Sequence, residues 1–308
     1  MEALSNKQKD AIREALRAYV AKYPSQNKAA GSLKNTSVGT ISCIVNGKYE
    51  NISDKMFRDI AAQIGGGKNE TGWQIVETSA YQEINFALDD AQRWRNVTWV
   101  VGEAGCGKTT TARLYTEEHK EVFYILCSED MKKGDFVREI ARKVGIKTDG
   151  HNICEVWSLI LDDVIQMEAP LLIFDEADKL TEPVFHYFIS MYNKLEEKCG
   201  IIFLSTEYIK RRMSIGLEYD KKGYDEIYSR IGRRFIDLTP ATRHEVTAVC
   251  RANGLIADSA IAEVVADART MVSTSVNPWD KKQPKEYFDM RRVRKSVHKN
   301  KKLAQIKK

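Results

Sequence analysis

The chain has 308 residues, 43% hydrophobic and 30% charged, which is enough for about two packed domains and excludes a fibrous or disordered chain. No apolar run approaches the roughly 18 residues that span a bilayer. The opening Met-Glu-Ala-Leu-Ser-Asn-Lys lacks the apolar core of a signal peptide. The expectation is therefore a cytoplasmic protein with no membrane partner.

Six scattered cysteines without a C-x-x-C pair, and five histidines without metal-ligand spacing, read as reduced and structural. The net charge of +5 hides a pattern. Residues 1–68 carry +5, residues 281–308 carry +10, and the stretch between carries −10. An acidic middle with basic ends suggests an engine that meets a polyanion through its termini.

Taken in order, residues 5–22 have helical apolar spacing behind a capping Ser5, and Pro24 ends that helix. A short helix from Ser25 to Lys34 follows. Asn35-Thr36-Ser37 forms a polar turn in which Asn tolerates the left-handed conformation. Val38 to Asn46 is a second short helix, burying Val38, Ile41 and Val45 and leaving Ser37, Gly39, Thr40 and Ser42 outward. Short helix, tight turn and short helix with small polar residues outside form a helix-turn-helix of the phage-repressor type, a double-stranded DNA reader. Ser53 to Ile64 is another helix. Ile64 to Glu70, with three glycines, reads as a flexible linker.

Residues 71–78 are expected to be extended. Ala80 to Trp94 is a helix with Ile84, Ala87, Leu88, Ala91 and Trp94 on one face. The strand Val97–Val101 then runs into Gly102-Glu103-Ala104-Gly105-Cys106-Gly107-Lys108-Thr109, and Thr110 opens a helix to Glu118. This is the phosphate-loop pattern G-x-x-x-x-G-K-[ST] in its strand–loop–helix context. The glycines let backbone N–H groups turn around an anion, and the helix points its positive end at it. Lys108 is placed for the β- and γ-phosphates of ATP, and the Thr109 hydroxyl for Mg²⁺.

Val122–Cys127 is a second buried strand, followed by helices at Gly134–Val144 and Asn152–Met167. Leu171-Leu172-Ile173-Phe174 is a continuous apolar strand ending in Asp175-Glu176. Carboxylates at the carboxyl end of a parallel strand face the ligand. Asp175 is expected in the Mg²⁺ shell, and Glu176 as the base for the attacking water. Pro183–Lys198 is helical, Gly200–Leu204 is a further strand, Tyr224–Ile231 leads into a basic turn, and Phe235–Leu238 is the last strand of the sheet.

One strand and its helices separate the phosphate loop from Asp175, and a Glu follows the Asp directly. In this the sequence resembles the additional-strand branch of phosphate-loop ATPases, which contains the AAA+ family. The resemblance implies a polar sensor at Thr206, with Ser205 as the neighbour. It also implies an arginine finger acting on an adjacent subunit at Arg230, with Arg233 and Arg234 as alternates. A small helical lid follows from Thr242–Asn253 and Asp258–Val272, with a loop over 273–284 and a last helix over Lys285–Lys299. Arg291 stands where such lids place an arginine against the nucleotide.

The fold class expected is thus α/β: a AAA+ type phosphate-loop ATPase with a helical lid, preceded by an all-α helix-turn-helix domain. The division is 1–64, linker 65–72, core 73–239, and lid with basic end 240–308. The order of these parts resembles the AAA+ accessory ATPases of phage DNA transposition. That resemblance implies an ATP-dependent homo-oligomer, filament or ring, on double-stranded DNA, with largely sequence-independent binding and a transposase as partner. A helicase loader or an ATP-switched transcription regulator remains open from the residues alone.

Overall fold

The computed structural model describes residues 4–64, 72–272 and 285–306. The expected linker, save its last residue, and the loop at 273–284 lie outside them.

The N-terminal unit is helical: α1 (Asn6–Val20), α2 (Gln26–Gly31), α3 (Val38–Val45) and α4 (Asp54–Gln63). Each starts on a serine, Ser5, Ser25, Ser37 or Ser53, whose hydroxyl accepts a first-turn backbone N–H. Leu16, Ala30, Leu33, Ile41, Ile44, Phe57 and Ile60 form its core. Asn35 takes φ 55°, the left-handed turn expected of it. α2 stops at Gly31, short of the expected Lys34. A Cβ on Gly31 would lie 2.5 Å from the Gly145 carbonyl oxygen, so the chain leaves the helix where it touches the next domain. In α3, Ile44 is fully buried beside Ile41, while Val38 and Val45 are only partly covered.

The central domain runs α5 (Ser79–Trp94), β1 (Val97–Val101), α6 (Lys108–Glu118), β2 (Val122–Leu126), α7 (Lys133–Val144), α8 (Ile153–Ile165) and β3 (Leu171–Asp175). It continues through α9 (Glu182–Leu195), β4 (Gly200–Ser205), α10 (Tyr208–Glu218), α11 (Tyr224–Arg230) and β5 (Ile236–Asp237). The strands pair in parallel in the order β2-β3-β4-β1-β5. β4 therefore separates the strand before the phosphate loop from the strand ending in Asp175. Alternate residues point to opposite faces. Trp99, Phe123, Phe174 and Phe203 pack on one side, while Val100, Tyr124, Ile173 and Leu204 pack on the other.

One local expectation fails here, and one element went unassigned. Trp94 is 75% exposed rather than on the inner face of α5. The backbone of Gly200 lies against the Ala91 carbonyl, where a Cβ would come within 2.2 Å, and fills the space under the helix end. α10, which the sequence reading left unassigned, closes the far side of the sheet through Ile209 and Met213.

The C-terminal domain holds α12 (Arg243–Ala252), α13 (Asp258–Ala268) and α14 (Met290–Ile306) around Val246, Val264, Phe288, Val293 and Val297. The lid is not purely helical. α13 ends at Ala268, and β6 (Arg269–Val272) pairs antiparallel with β7 (Lys285–Phe288). Residues 269–272 and 285–288, both expected in helices, thus form a hairpin. Arg269 sits at φ −62°, ψ 130°, outside the helical region. Phe288 is drawn into the lid core, and Arg269 pairs with Glu286 at 2.8 Å. The pairing joins residues far apart in sequence, and helical periodicity cannot register it.

Candidate nucleotide site

β1 delivers the chain to Gly102, and Gly105 and Gly107 turn it at φ 82° and 107°. Left-handed backbone of this kind suits glycine. The helix begins at Lys108 itself, two residues before the expected Thr110. The first-turn N–H groups, which have no partner inside a helix, therefore face the loop's concavity. The Lys108 ammonium donates to the carbonyls of Gly102 at 2.7 Å and Glu103 at 3.0 Å, curled back into the loop.

Asp175 is fully buried at the end of β3. Its Oδ2 accepts from the Thr109 hydroxyl at 2.6 Å and from the Tyr124 hydroxyl at 2.7 Å, and its Oδ1 from the Glu176 N–H at 3.0 Å. A buried carboxylate needs such donors to offset lost hydration. Burial first, and then the Asp175 carboxylate, push the Tyr124 phenol well above its ordinary pKa, so it stays a donor. Glu176 takes a left-handed φ of 56° and forms an ion pair with Lys179. Thr206 Oγ1 donates to Asp178 Oδ2 at 2.6 Å. Ser205 is buried and accepts the Trp99 indole N–H at 2.8 Å, so of the two only Thr206 has its hydroxyl on the acidic turn.

Among the described residues no group of three His, Cys, Asp or Glu side chains gathers to hold a metal. The Thr109 hydroxyl and the Asp175 carboxylate are hard oxygens on one spot. That set fits Mg²⁺, which takes one or two carboxylates together with phosphate and water oxygens.

A cavity of about 430 Å³ extends from the loop. Lys108, Thr109, Asp175, Glu176 and Thr206 are among the residues that line it. The lining also includes Trp73, Ile75, Val76 and Tyr81, which precede the sheet, and Arg291 and Arg294 on α14. The Arg294 guanidinium stands 5.6 Å from the Trp73 ring centroid. The lid meets the loop directly: the Met290 N–H donates to the Gly105 carbonyl at 3.1 Å. Trp73, Ile75, Tyr81, Arg294 and Tyr124 escaped the sequence reading. Only Tyr124 left a signal there, one polar handle in an otherwise apolar strand.

The basic turn after α11 lies apart from this cavity. Arg230 is folded back onto its own chain, 18% exposed, donating to the Glu226 carbonyl at 3.0 Å and to Asn193 Oδ1 at 2.8 Å above the Tyr192 ring. Arg233 and Arg234 are exposed, and Arg233 pairs with Asp225 at 2.9 Å.

The parallel sheet, the glycine loop on a helix N-terminus and the carboxylate of the non-adjacent strand define the fold of a AAA+ type phosphate-loop protein. The family described as an AAA domain matches residues 91–213. The chain resembles the ATP-dependent target DNA activator B of Escherichia phage Mu: 24% identical over 228 residues, covering 72% of this chain and 72% of the relative. The activator B of Escherichia phage D108 matches to the same extent. Among solved structures, the Aeropyrum pernix ORC1 protein in complex with DNA aligns with 71% of this chain at 16% identity and a TM-score of 0.49. This chain covers 58% of that protein's length. AMPPCP-bound DnaA from Aquifex aeolicus aligns with 76% of this chain and 68% of its own at 15% identity, with a TM-score of 0.44. No helix among the described residues is long and apolar enough to cross a membrane.

Proposed function

We propose that the protein binds and hydrolyses ATP in this cavity and, in its ATP-bound state, assembles on double-stranded DNA that it delivers to a transposase. The reading is carried by the hydroxyl–carboxylate bond from Thr109 to Asp175 beneath a helix N-terminus, in a chain similar to two target-DNA activators.

Lys108 leaves the loop carbonyls for the β- and γ-phosphates, and the N–H groups of Gly105 to Thr110 surround them. Thr109 and Asp175 would hold Mg²⁺, which would neutralise phosphate charge. Glu176 exchanges Lys179 for the attacking water and takes its proton. Thr206 fixes the acidic turn through Asp178 and senses the γ-phosphate. Arg291 and Arg294 carry the lid's charge to the nucleotide, and Trp73 and Tyr81 offer ring faces to the base. An arginine of the 230–234 turn completes a neighbouring subunit's site. Arg230 does so by giving up its bonds to Glu226 and Asn193, whereas Arg233 gives up only Asp225. In the N-terminal unit, residues 1–64, α2 and α3 act as a helix-turn-helix whose outer face carries Ser37, Gly39 and Thr40. Residues 73–239 serve as core and 240–308 as lid, with Trp73 and Val76 packed on the lid side.

The test is binding to random-sequence duplex with and without a non-hydrolysable ATP analogue. Cooperative, sequence-independent binding that requires the analogue supports the reading. Equal binding without nucleotide, or tight binding to a single palindrome only, would overturn it. Faster hydrolysis on adding a cognate transposase tests the last step.

A further inference from the structure

A second cavity, of about 510 Å³, lies at the seam between the N-terminal unit and the central domain. The seam is clamped. A Cβ on Gly145 would meet the Lys28 carbonyl oxygen at 2.2 Å, Lys28 pairs with Asp163 at 2.6 Å, and the Tyr23 hydroxyl donates to the Lys143 carbonyl at 3.1 Å. The cleft is therefore pre-formed, as ligand sites usually are.

Four cations line it: Lys22, Arg113, Arg142 and Lys143. Arg142 is taken by Glu139, and Lys22 donates to the Thr116 carbonyl at 2.9 Å. Arg113 and Lys143 have no carboxylate at ion-pair distance among the described residues. Instead both stand over the face of Tyr124, 5.3 and 6.0 Å from its centroid. Burial, then the neighbouring Arg142, with Arg113 and Lys34 adding to it against Glu139, push the Lys143 ammonium below its ordinary pKa. Two carboxylates share the cavity. Glu121 is engaged by the Ala169 N–H at 2.8 Å, and burial pushes the Glu117 carboxyl up against the opposing charges of Lys22 and Arg113. Partly buried cations crowded by like charge destabilise the fold unless an anion joins them.

We propose that this cleft binds a phosphate group, gripped by Arg113 and Lys143 with Lys22 at the rim, supplied either by a nucleic-acid backbone or by a free phosphate compound. Tyr124, which lines this cleft, donates to Asp175, which lines the nucleotide cavity, so one hydrogen bond links the two.

Pyrophosphate binding is followed by calorimetry in the full chain carrying Lys108→Ala, which takes the phosphate loop out of that measurement. Random 20-bp duplex binding is followed by anisotropy in the full chain with Lys108 intact and a saturating non-hydrolysable ATP analogue, and each probe is read with and without Arg113→Ala/Lys143→Ala. Charge-assisted contacts of this kind predict a loss of about tenfold or more for one probe. A loss for pyrophosphate identifies a free anion as the ligand. A loss for duplex alone identifies a backbone phosphate. Unchanged affinity for both probes overturns the site, as does an equal loss in a Lys120→Ala/Lys147→Ala control that removes two exposed charges elsewhere. Should the double variant fail to melt cooperatively, the single Arg113→Gln and Lys143→Gln chains give the same comparison.

Discussion

Two parts of the nucleotide cavity's wall are built in opposite ways. The phosphate-loop wall is one continuous loop with a carboxylate from a nearby strand, tied by hydrogen bonds of 2.6 to 3.0 Å. The rest of the wall comes from residues 73–81 and from the start of α14, more than two hundred residues apart, and carries apolar side chains, ring faces and guanidinium groups. One part fixes charge at defined points. The other depends on the lid staying docked. The lesson is that chemistry is concentrated in local sequence, whereas substrate shape is entrusted to tertiary packing.

Several substitutions break or sharpen this contrast. Glu176→Gln should lower ATP hydrolysis by roughly 10²–10⁴-fold with nucleotide binding intact, since it removes only the base. A phosphate-release assay with a parallel binding titration checks it, and unchanged hydrolysis would remove Glu176 from the mechanism. Lys108→Ala should weaken both ATP and tripolyphosphate by about a hundredfold, as expected from losing charge-assisted bonds to two phosphates. Trp73→Ala should weaken ATP by only about tenfold, or about 1.4 kcal/mol, and leave tripolyphosphate unchanged. Equal losses for the two ligands in both variants would abolish the distinction between the two parts.

Gly105→Ala tests the join. Its Cβ would fall 2.1 Å from Asp289 Oδ1 at a backbone φ of 82°. A loss of about 1–3 kcal/mol is expected from strain and an undocked lid, read as a lower melting temperature.

The smallest effect concerns the lid's tie to α5. Burial acts to raise the Glu245 carboxyl, but the backbone N–H groups of Ser79 and Thr242 and the Thr242 hydroxyl outweigh it and hold the group below its ordinary value. Its contribution is therefore present above the usual carboxylate pKa and lost as pH falls through the lower folded value. The melting-temperature gap between native and Glu245→Gln chains should be open at pH 7 and close below about pH 4.

The phosphate loop, β3 with its Asp175-Glu176 end, and the serine-capped helices of the N-terminal unit were legible because each is specified within a few residues. Glycines at Gly105 and Gly107, a lysine at Lys108 and an apolar run before Asp175 leave few other structures available. Arg291 was placed on the cavity by resemblance, and the structure does bring it there. Its neighbour Arg294 was lost among many basic residues, because nothing in the local spacing marks the one that meets the Trp73 ring. The hairpin of β6 and β7 was misread as helix because its hydrogen bonds join segments whose own spacing is helical.

By itself, then, the sequence determined where a phosphate can be held and which carboxylates stand near it. Those properties follow from backbone freedom and charge in consecutive residues. The tertiary structure alone decided that Tyr124 and Thr109 share one oxygen of Asp175 and that Ser205 takes the Trp99 indole N–H while Thr206 bonds Asp178. It also decided that the helical N-terminal unit is clamped on α6 to α8 over a cationic cleft. Each of these is a meeting of side chains from separate elements, set by sheet order and close packing, to which no local pattern responds.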